Sequence, residues 1–364
     1  MPKLDKNTVQ KEIIYSQLTE NDLDKLSDLI LGMRKDDLNT LNTRSVTKKY
    51  YDWIYFKNPR GKAIIFKGMH NNKLVCSFAI APKLMLIGGK QVLAGKTMDM
   101  FTHPDYQGLG LMKKATNLVF EQTKKENIYP WYVTPSVNSY PIFKNKWKYS
   151  ECFRVLYRTK LLKTTPILKR MLKPALLGNI AGSILDIILA VIQKNNFKLP
   201  EDYRIETVKK FSTETDELWQ KSQKNDNMLI RDARYLNWRY VENPDDYIKW
   251  HMYKQKQLCG MIILKTTIRK HQQIGEIVDF LYLQDQHELL VFMLKKAVRF
   301  FKENNCVFVQ GWAIENSDLD KLHKKAGLSW GRTEIKVLLT PDEKDKKFYD
   351  KNAWYLSQGD GNDI

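Results

Sequence analysis

The segment Thr102-His-Pro-Asp-Tyr-Gln-Gly-Leu-Gly-Leu-Met112 follows a β-rich run and precedes residues with the apolar spacing of a helix. Its two glycines, Gly108 and Gly110, would let backbone amides approach a ligand without obstruction by a Cβ atom. Free amides at a helix N-terminus, reinforced by the helix dipole, form an anion site, and Lys113 and Lys114 add positive charge. The segment lacks the Gly-Lys-Ser/Thr of a P-loop and the third glycine of a dinucleotide fingerprint. It therefore predicts a phosphate-binding loop of another type.

The elements around this loop are those of an α+β (α/β mixed) domain. Thr19 to Asp22 resembles a helix-capping box in which aspartate replaces the usual Glu or Gln. Gly88-Gly89 suits a hairpin turn, and apolar residues recur at helical spacing from Leu109 onward. A short helix is predicted at 140–145, and β-rich runs lie at 63–66, 73–81, 84–87, 91–101 and 131–134.

The chain repeats itself. The pattern Trp-x-Tyr-x-x-Asn-Pro occurs at 53–59 and again, 185 residues later, at 238–244. Three further pairs keep the same order at nearly the same offset: Gly95 and Asp99 with Gly275 and Asp279, Lys113-Lys-Ala115 with Lys295-Lys-Ala297, and Asn138-Ser139 with Asn316-Ser317. Ordered matches indicate two diverged copies of one unit. The predicted organisation is an N-terminal domain at 1–158, a linker at 159–200, and a degenerate C-terminal domain with its tail at 201–364.

The loop resembles motif A of the GNAT superfamily of N-acyltransferases, Gln/Arg-x-x-Gly-x-Gly/Ala, with Met112 where the family prefers Gly or Ala. The resemblance covers about residues 15–149 and, more weakly, the second copy. It implies tandem GNAT folds, each a mixed central sheet flanked by helices, and acyl-coenzyme A as the ligand. It also implies pantetheine contacts from the main chain of Met100, Phe101 and Thr102. Asn138 matches a polar position that often touches the cofactor, and the pyrophosphate would be held by the amides of Gln107, Gly108, Leu109, Gly110, Leu111 and Met112.

Two residues are candidate catalysts. Asp99 lies just before the residues expected to contact the cofactor, where a buried carboxylate would act as a base. Its counterpart Asp279 occurs in the copy without the glycines, so a shared structural role also explains both aspartates. Tyr140 is the candidate acid, because the family's tyrosine before a Gly-Phe pair is displaced here and the glycine is absent. His103, which precedes Pro104, is interpreted as a residue that fixes the loop.

The second copy has Leu283-Gln-Asp-Gln-His-Glu-Leu289 in place of the glycine loop. The acidic Asp285 and Glu288 would repel a pyrophosphate, so we expect one cofactor site per chain. The second copy is then a substrate wall or a scaffold. The tail from Trp354 to Asp363 resembles the endings of tandem acyltransferases encoded with bacterial surface-polysaccharide synthesis.

A basic cluster and a long apolar stretch lie between the copies. Pro174 to Gln193 has one charged residue, Asp186, and is long enough to cross a membrane. However, its polar residues fall on one helical stripe, opposite Leu177, Ile180, Ile184, Ile188 and Val191, so an amphipathic helix is predicted. We favour packing of this helix between the two domains. The alternative is peripheral membrane contact, helped by the cluster of Lys160, Lys163, Lys169, Arg170 and Lys173.

Composition narrows the class of protein. The 364 residues are 43% hydrophobic and 28% charged, which excludes a disordered chain. The net charge of +19 attracts anions of many kinds without specifying one. Four separated cysteines without zinc-ligand spacing predict buried thiols and no metal site. The polar start, Met1 to Gln10, predicts a cytoplasmic protein without a signal peptide, with peripheral attachment at the inner face of the membrane as the alternative.

The resemblance implies an acetyl-CoA-dependent N-acyltransferase that acts on an amine, with an amino sugar or sugar nucleotide as the expected acceptor and no nucleic acid partner. A second hypothesis is an aminoacyl transferase of the Fem type, also a tandem of this fold, which uses aminoacyl-tRNA. A third is a basic scaffold without catalysis.

Overall fold

The computed structural model describes residues 6–33, 43–192, 198–223, 227–269, 271–340 and 348–361. They form two compact units. Unit 1 contains the described residues up to Glu151, together with 242–244 and 338–340. Unit 2 contains the described residues of 152–241, 245–337 and 348–361.

Unit 1 is a mixed sheet flanked by helices. Its strands run in the order β1-β2-β3-β4-β5, antiparallel except for the parallel pair β4–β5. The predicted capping box at Thr19 is confirmed, since Asp22 completes it in a 3-10 turn. The elements are α1 Lys6–Glu12, β1 Ile14–Gln17, α2 Leu23–Met33, α3 Arg44–Phe56, β2 Ile64–His70, β3 Lys73–Ile87, β4 Lys90–Thr102, α4 Leu111–Lys125, β5 Trp131–Val133 and a π-helical turn Ile142–Lys146.

Unit 2 repeats this order after two additional helices. The elements are β6 Ser150–Leu161, whose first two residues lie in unit 1, α5 Thr165–Met171, α6 Ala175–Ile192, β7 Tyr203–Thr207, α7 Thr213–Lys221, β8 Asn227–Leu229, α8 Ala233–Tyr240, β9 Ile248–Lys254, β10 Gln257–Arg269, β11 Gln272–Tyr282, α9 His287–Glu303, β12 Phe308–Ile314, α10 Asp318–Lys325, β13 Trp330–Leu339 and β14 Trp354–Tyr355. Its main sheet has the order β13-β6-β12-β11-β10-β9-β7.

The predicted domain boundaries differ from the observed units because the last strand of each copy joins the sheet of the other. β6 pairs with β12 of unit 2, from Val155 opposite Ile314 to Leu161 opposite Phe308. In return, the end of β13 pairs with β5 of unit 1, where Leu338 lies opposite Val133. The boundary predicted at 158 therefore falls inside a strand, and 159–161 of the expected linker belong to the sheet of unit 2.

Both copies keep the same local structure, as the internal repeat predicted. The Trp-x-Tyr motifs end α3 and α8, and Trp53 and Trp238 are buried before the next strand begins. Asn58 fixes this corner in unit 1 by donating from Nδ2 to the Pro82 carbonyl at 2.9 Å. Gly95 on β4 leaves no room for a Cβ, which would lie 2.6 Å from the Trp131 ring. The motif is thus structural in both copies.

The two β-rich runs expected at 73–81 and 84–87 form a single strand, β3. Pro82 does not interrupt it, because β2 pairs with β3 only as far as Ile80 and leaves the strand with β4 as its neighbour in unit 1. A proline beyond the end of one of its strand's ladders is compatible with a continuing strand. The Gly88-Gly89 hairpin turn is confirmed, with φ of 56° and 79°.

Helices α5 and α6 pack against each other, and α6 contradicts the placement favoured from the sequence. Among the described residues of α6, the buried ones are Gly178 and Gly182, and its large apolar side chains, except the half-buried Leu189, are exposed. The amphipathic division is present, but the packed side is the one that carries Gly178, Gly182 and Asp186. Packing of the apolar face between domains is therefore wrong. Gln193 lies outside the described residues.

Candidate functional site

The opening beside the predicted loop arises where β4 and β5 diverge. The two parallel strands are paired only at Gly95 with Trp131 and Lys96 with Tyr132, although β4 continues to Thr102. Just beyond these pairs, the register between β3 and β4 shifts: Ile80 lies opposite Thr97, whereas Phe78 lies opposite Met100. This extra residue makes a bulge in β4, and a bulge bends its strand. Beyond it, β4 still pairs with β3 but no longer with β5. One edge of the end of β4 is therefore left without a strand partner in unit 1.

Between the end of β4 and the start of α4, both predicted glycines have left-handed backbones. Gly108 has φ of +78° and Gly110 has φ of +77°, a region that other residues enter at a cost. Gly110 is the N-cap of α4, which begins at Leu111. A Cβ at Gly108 would meet no atom within 4 Å, so the space above this residue is open. The glycines are thus required by the turn, and Gly108 faces free volume.

The loop presents a row of backbone amides. Within residues 6–33 and 43–192, no acceptor is paired with the amides of 108–112, whereas the amide of Lys113 donates to the Gly110 carbonyl at 3.3 Å. The amide of Gln107, which was also predicted to hold the pyrophosphate, donates to the Pro104 carbonyl at 3.2 Å and so is not part of the row. Amides without partners at the start of a 15-residue helix form an anion site that the helix dipole reinforces. Met112, the departure from the family pattern, packs its side chain against two core clusters. Its bulk therefore lies in the core, and its amide stays in the row.

A cleft of about 320 Å³ adjoins the loop. Gln10 on α1 donates its side-chain amide to the Leu109 carbonyl, and the Tyr15 hydroxyl donates to the Leu111 carbonyl at 2.9 Å. The Lys114 ammonium lies 4.9 Å from the centre of the Tyr15 ring. The residues that line the cleft are Gln10, Tyr15, Gly110, Leu111, Lys113, Lys114 and Asn117. The contribution of α1 was missed from the sequence, where Val9 and Ile13, four residues apart, were its main signal.

The pleat of β4 decides which main-chain groups face the opening. The amide of His103 donates to the Val75 carbonyl of β3 at 2.8 Å. Because the direction alternates along a strand, the amide of Phe101 also points toward β3, and those of Met100 and Thr102 point to the other edge. The side-chain amide of Gln107 contacts the Thr102 carbonyl at 3.4 Å, which is consistent with a Thr102 main chain that faces away from β3. The pleat therefore disfavours the main-chain contact predicted for Phe101, and the contacts predicted for Met100 and Thr102 stay predictions.

Asp99 lies at the bulge and accepts a hydrogen bond of 2.8 Å from the hydroxyl of Tyr55. Burial, followed by the neighbouring carboxylate, raises the pKa of Tyr55 well above its usual range, so this hydroxyl remains a donor. The second copy contains the same pair, because Tyr240 donates to Asp279 at 2.8 Å. A pair kept in a copy without the glycine loop fits a structural role. Catalysis by Asp99 stays a prediction.

Of the other predicted residues, Asn138 and Tyr140 lie between β5 and the π-helical turn, and His103 follows β4. The Tyr140 hydroxyl donates to Glu151 at 2.7 Å, and its ring packs against the core of unit 1. Asn138 is exposed in the turn before it. His103 caps the 3-10 turn Pro104–Tyr106 by accepting from the Asp105 amide at 3.3 Å, as its loop-fixing interpretation predicted. The roles of Tyr140 and Asn138 toward ligands stay predictions.

In unit 2 the corresponding opening is filled by the chain itself. Ser357 donates to Asp279 at 2.7 Å, and Arg231 bridges Asp279 and Asp360 in a fully buried network. A Cβ at Gly359 would lie 2.1 Å from the Tyr240 hydroxyl. The end of the tail, beyond Gly361, lies outside the described residues. This filling gives the tail a structural use, and one cofactor site per chain stays a prediction.

Two other features of the described residues lie apart from the loop. A larger cleft in unit 1, of about 510 Å³, lies by Leu93 near the start of β4 and Glu126 after α4, the opposite ends of both elements from the glycines. Its size alone does not connect it to the chemistry, and the loop geometry is the stronger indication of a site. Among the described residues, no group of three His, Cys, Asp or Glu is placed to hold a metal ion.

Comparison with known proteins places this geometry in a family of folds. No family model matches the sequence, and no curated protein sequence does. Among solved structures, a GCN5-related N-acetyltransferase from Anabaena variabilis is 13% identical, with a TM-score of 0.59 over 90% of this chain and 72% of that one.

Two further structures resemble the chain over most of both lengths. Saccharomyces cerevisiae N-myristoyltransferase with bound myristoyl-CoA is 12% identical, with a TM-score of 0.61 over 98% of this chain and 86% of that one. A tandem GNAT protein from the clavulanic acid biosynthesis pathway is 12% identical, with a TM-score of 0.59 over 92% of this chain and all (100%) of that one. The resemblance deduced from the glycine loop and the internal repeat is thereby confirmed: the chain has the mixed α/β fold of the GNAT superfamily, in tandem.

Proposed function

We propose that this chain is an acyl-CoA-dependent N-acyltransferase whose cofactor site is the glycine loop of unit 1. One observation carries the proposal: left-handed Gly108 and Gly110 present the amides of 108–112 beside the open edge of β4. A pyrophosphate suits a row of free amides at a helix N-terminus. An extended pantetheine arm suits an unpaired strand edge, because it can hydrogen-bond to the main chain as a strand would.

The chain's own groups suit each part of an acyl transfer. Lys113 and Lys114 add positive charge beside the amides, which favours a phosphorylated ligand. The amides of Met100 and Thr102 face the opening, where one of them would donate to the oxygen that gains negative charge as an amine attacks the thioester. In the reaction, a C–N bond forms, the C–S bond breaks, and the amine proton balances the charge of the leaving thiolate.

The acyl group and the acceptor are the finer part of the proposal. We take acetyl as the acyl group and an amine, such as that of an amino sugar or sugar nucleotide, as the acceptor. Support for these comes from the motif and from the tail, which resemble acetyltransferases and polysaccharide-linked tandem enzymes. A Fem-type transferase and a scaffold are disfavoured by the loop, since neither needs two left-handed glycines before α4. Myristoyl-CoA belongs in the same assay, because one structural neighbour holds it.

Calorimetric titration of the full chain with CoA, acetyl-CoA and myristoyl-CoA tests the proposal. The informative variant is Gly108→Asn. Asparagine tolerates left-handed φ, and its Cβ meets no atom within 4 Å, so the fold should persist while the side chain occupies the open space. Gly88→Asn is the matched control, since Gly88 is also left-handed but lies in the β3–β4 hairpin.

We expect CoA compounds to bind the native chain and the Gly88 variant equally, and to bind the Gly108 variant at least tenfold more weakly. Ligand at 100 times its Kd should also stabilise the native chain by about 2.7 kcal/mol. Absence of binding by every CoA compound, or equal affinity in the Gly108 variant, would remove the basis of the proposal. Salt-sensitive binding of tRNA without binding of CoA would favour the Fem-type alternative.

A further inference from the structure

Helix α6 exposes an unbroken apolar face. Leu176, Ile180, Ile184, Ile187 and Val191 follow one another at intervals of three or four residues, which places them on one side of the helix. Each of these side chains is more than half exposed. The mean hydropathy of Ala175–Ile192 is 2.2, and 11% of this segment is buried. A contiguous exposed apolar surface of this kind marks an interaction site.

The opposite side of α6 is already occupied. Gly178 and Gly182 lie so close to α5 that a Cβ would be 2.5 Å from the Leu168 carbonyl or from Thr165 Cα. Asp186 accepts hydrogen bonds of 2.7 Å from the hydroxyls of Thr164 and Thr165, which also place it against the start of α5. The single acidic group of the segment is therefore used inside the hairpin. The surface that remains for a partner is mainly apolar, with the exposed Ser183 beside it.

Two common explanations of an apolar 18-residue helix do not fit. A core helix of a globular protein is mostly buried, whereas α6 is mostly exposed. A signal sequence lies near the N-terminus, whereas α6 begins at Ala175. The segment is also secured to unit 2, because Ile167 of α5 packs against the cluster of Ile274, Val307 and Phe308. The hairpin is thus packed against unit 2 through α5, while the apolar face of α6 stays exposed.

Basic side chains stand next to this face. Lys169 and Arg170 form the exposed last turn of α5, and exposed Lys173 follows before α6 begins. These charges have no carboxylate among the described ion pairs. An apolar helix face flanked by lysine and arginine matches the interface of an anionic bilayer, which offers both hydrocarbon and negative headgroups.

We propose that the α5–α6 hairpin docks this protein on an anionic membrane, with α6 lying in the plane of the interface. The position of α6 relative to α5 favours an in-plane helix over one that crosses the bilayer. Asp186 and Thr164 meet two thirds of the way along α6, and Thr164 lies three residues after the end of β6, a strand of the unit 2 sheet. A spanning α6 would carry this polar junction, and with it the edge of unit 2, into the hydrocarbon. An in-plane α6 keeps both in water.

Co-sedimentation of the full chain with vesicles tests the proposal, with phosphatidylcholine alone compared with phosphatidylcholine containing phosphatidylglycerol. We expect binding to the anionic vesicles that exceeds binding to the neutral ones at least tenfold. The double variant Lys169→Gln/Arg170→Gln should weaken anionic binding about 25-fold, since each basic residue near the surface contributes about fivefold. Lys124→Gln/Lys125→Gln, the exposed end of α4, should leave it unchanged.

The apolar face has its own matched pair of variants. Ile187→Asn should lower vesicle binding by tenfold or more, because an apolar side chain is replaced by one that the bilayer interior rejects. Ile268→Asn is the control, since Ile268 is 75% exposed, compared with 66% for Ile187, but lies at the end of β10. Both should bind CoA as the native chain does, so the outcome is separate from the proposed catalytic role.

Three results would overturn the proposal. The first is absence of binding to anionic vesicles, and the second is equal binding by the Ile187 and Ile268 variants. The third is resistance of the bound protein to extraction by alkaline carbonate, which would make α6 a spanning helix. Light scattering on the same samples identifies the remaining occupant: a dimer that depends on Ile187, without vesicle binding, would assign the face to a second copy of the chain.

Discussion

The pair Tyr55–Asp99 separates a structural from a catalytic role for the aspartate. The hydrogen bond is 2.8 Å long and reaches a carboxylate from a tyrosine that is 1% exposed. Hydrogen bonds to charged groups contribute about 1.5–3 kcal/mol, and the half-buried position of Asp99 places this one near the lower figure. Tyr55→Phe should therefore cost about 1–1.5 kcal/mol. Asp99→Ala should cost more, about 2 kcal/mol, because it leaves a buried hydroxyl without its acceptor.

The assay is urea unfolding of the native chain, both single variants and the double variant, with a coupling energy of about 1 kcal/mol expected from the cycle. In heat denaturation this corresponds to roughly 2–4 °C. Asp99→Asn is the decisive variant, because its carboxamide oxygen still accepts from Tyr55 but cannot act as a base. A coupling energy near zero would refute the structural role. Loss of acyl transfer in Asp99→Asn with CoA affinity and stability unchanged would assign Asp99 a catalytic role in addition to its structural one.

Three other predictions follow from buried contacts. Gly182→Ala should push α5 and α6 apart, since its Cβ would lie 2.5 Å from Thr165 Cα, and limited proteolysis should then cut the hairpin faster while CoA affinity stays the same. Arg158→Ala should destabilise unit 2 by about 3 kcal/mol, the lower end for a broken buried ion pair, measured by urea unfolding, because the buried carboxylate of Asp320 keeps Lys324 as a partner. Burial alone would raise the pKa of Asp320, but hydrogen bonds from Arg158 and other donors outweigh burial and hold this pKa below its usual 3.8. The stability that the ionised Asp320 contributes should therefore be lost as the pH falls below about 3.8, and the Arg158 variant should lose less stability over the same range. Ellman's reagent should modify one thiol of the native chain rapidly, that of the partly exposed Cys152, and Cys152→Ser should remove this fast phase.

The glycine loop was predictable because its information is local. Gly108 and Gly110 are separated by one residue, and a strand and a helix on either side are enough to define the anion site. The choice between Phe101 and its neighbours was not predictable, since it depends on which amides β3 takes. That became visible only from the bond between His103 and Val75.

The faces of α6 show the limit of periodicity. Its apolar stripe, with Ile180 and Ile184, was correctly separated from Asn179 and Asp186, because helical spacing determines which residues share a side. In a globular protein the apolar side of a helix normally faces the core, and this expectation places the apolar side of α6 inward. Here the glycines allow α5 so close that the small and polar side is packed, and only the contacts of Gly178 and Gly182 reveal it.

The filling of the opening in unit 2 by the tail could not be predicted from the sequence either. Asp279 matched Asp99 by position, but its partner Arg231 lies 48 residues away along the chain, and Asp360, the second partner of Arg231, lies 129 residues from that arginine. Separations of this size leave no pattern in a single sequence.

The exchanged strands determine how this chain can be divided and how it must fold. A fragment that stops at 158 would present β5 with an unpaired edge and β6 without β12, and such open edges promote aggregation. The pairing of β5 with β13 also requires Leu338, which lies more than two hundred residues after its partner Val133. Contacts this distant in sequence slow folding, because the loop must close before the pairing contributes. The N-terminal half emerging from a ribosome would therefore remain unfinished until nearly the whole chain had been made.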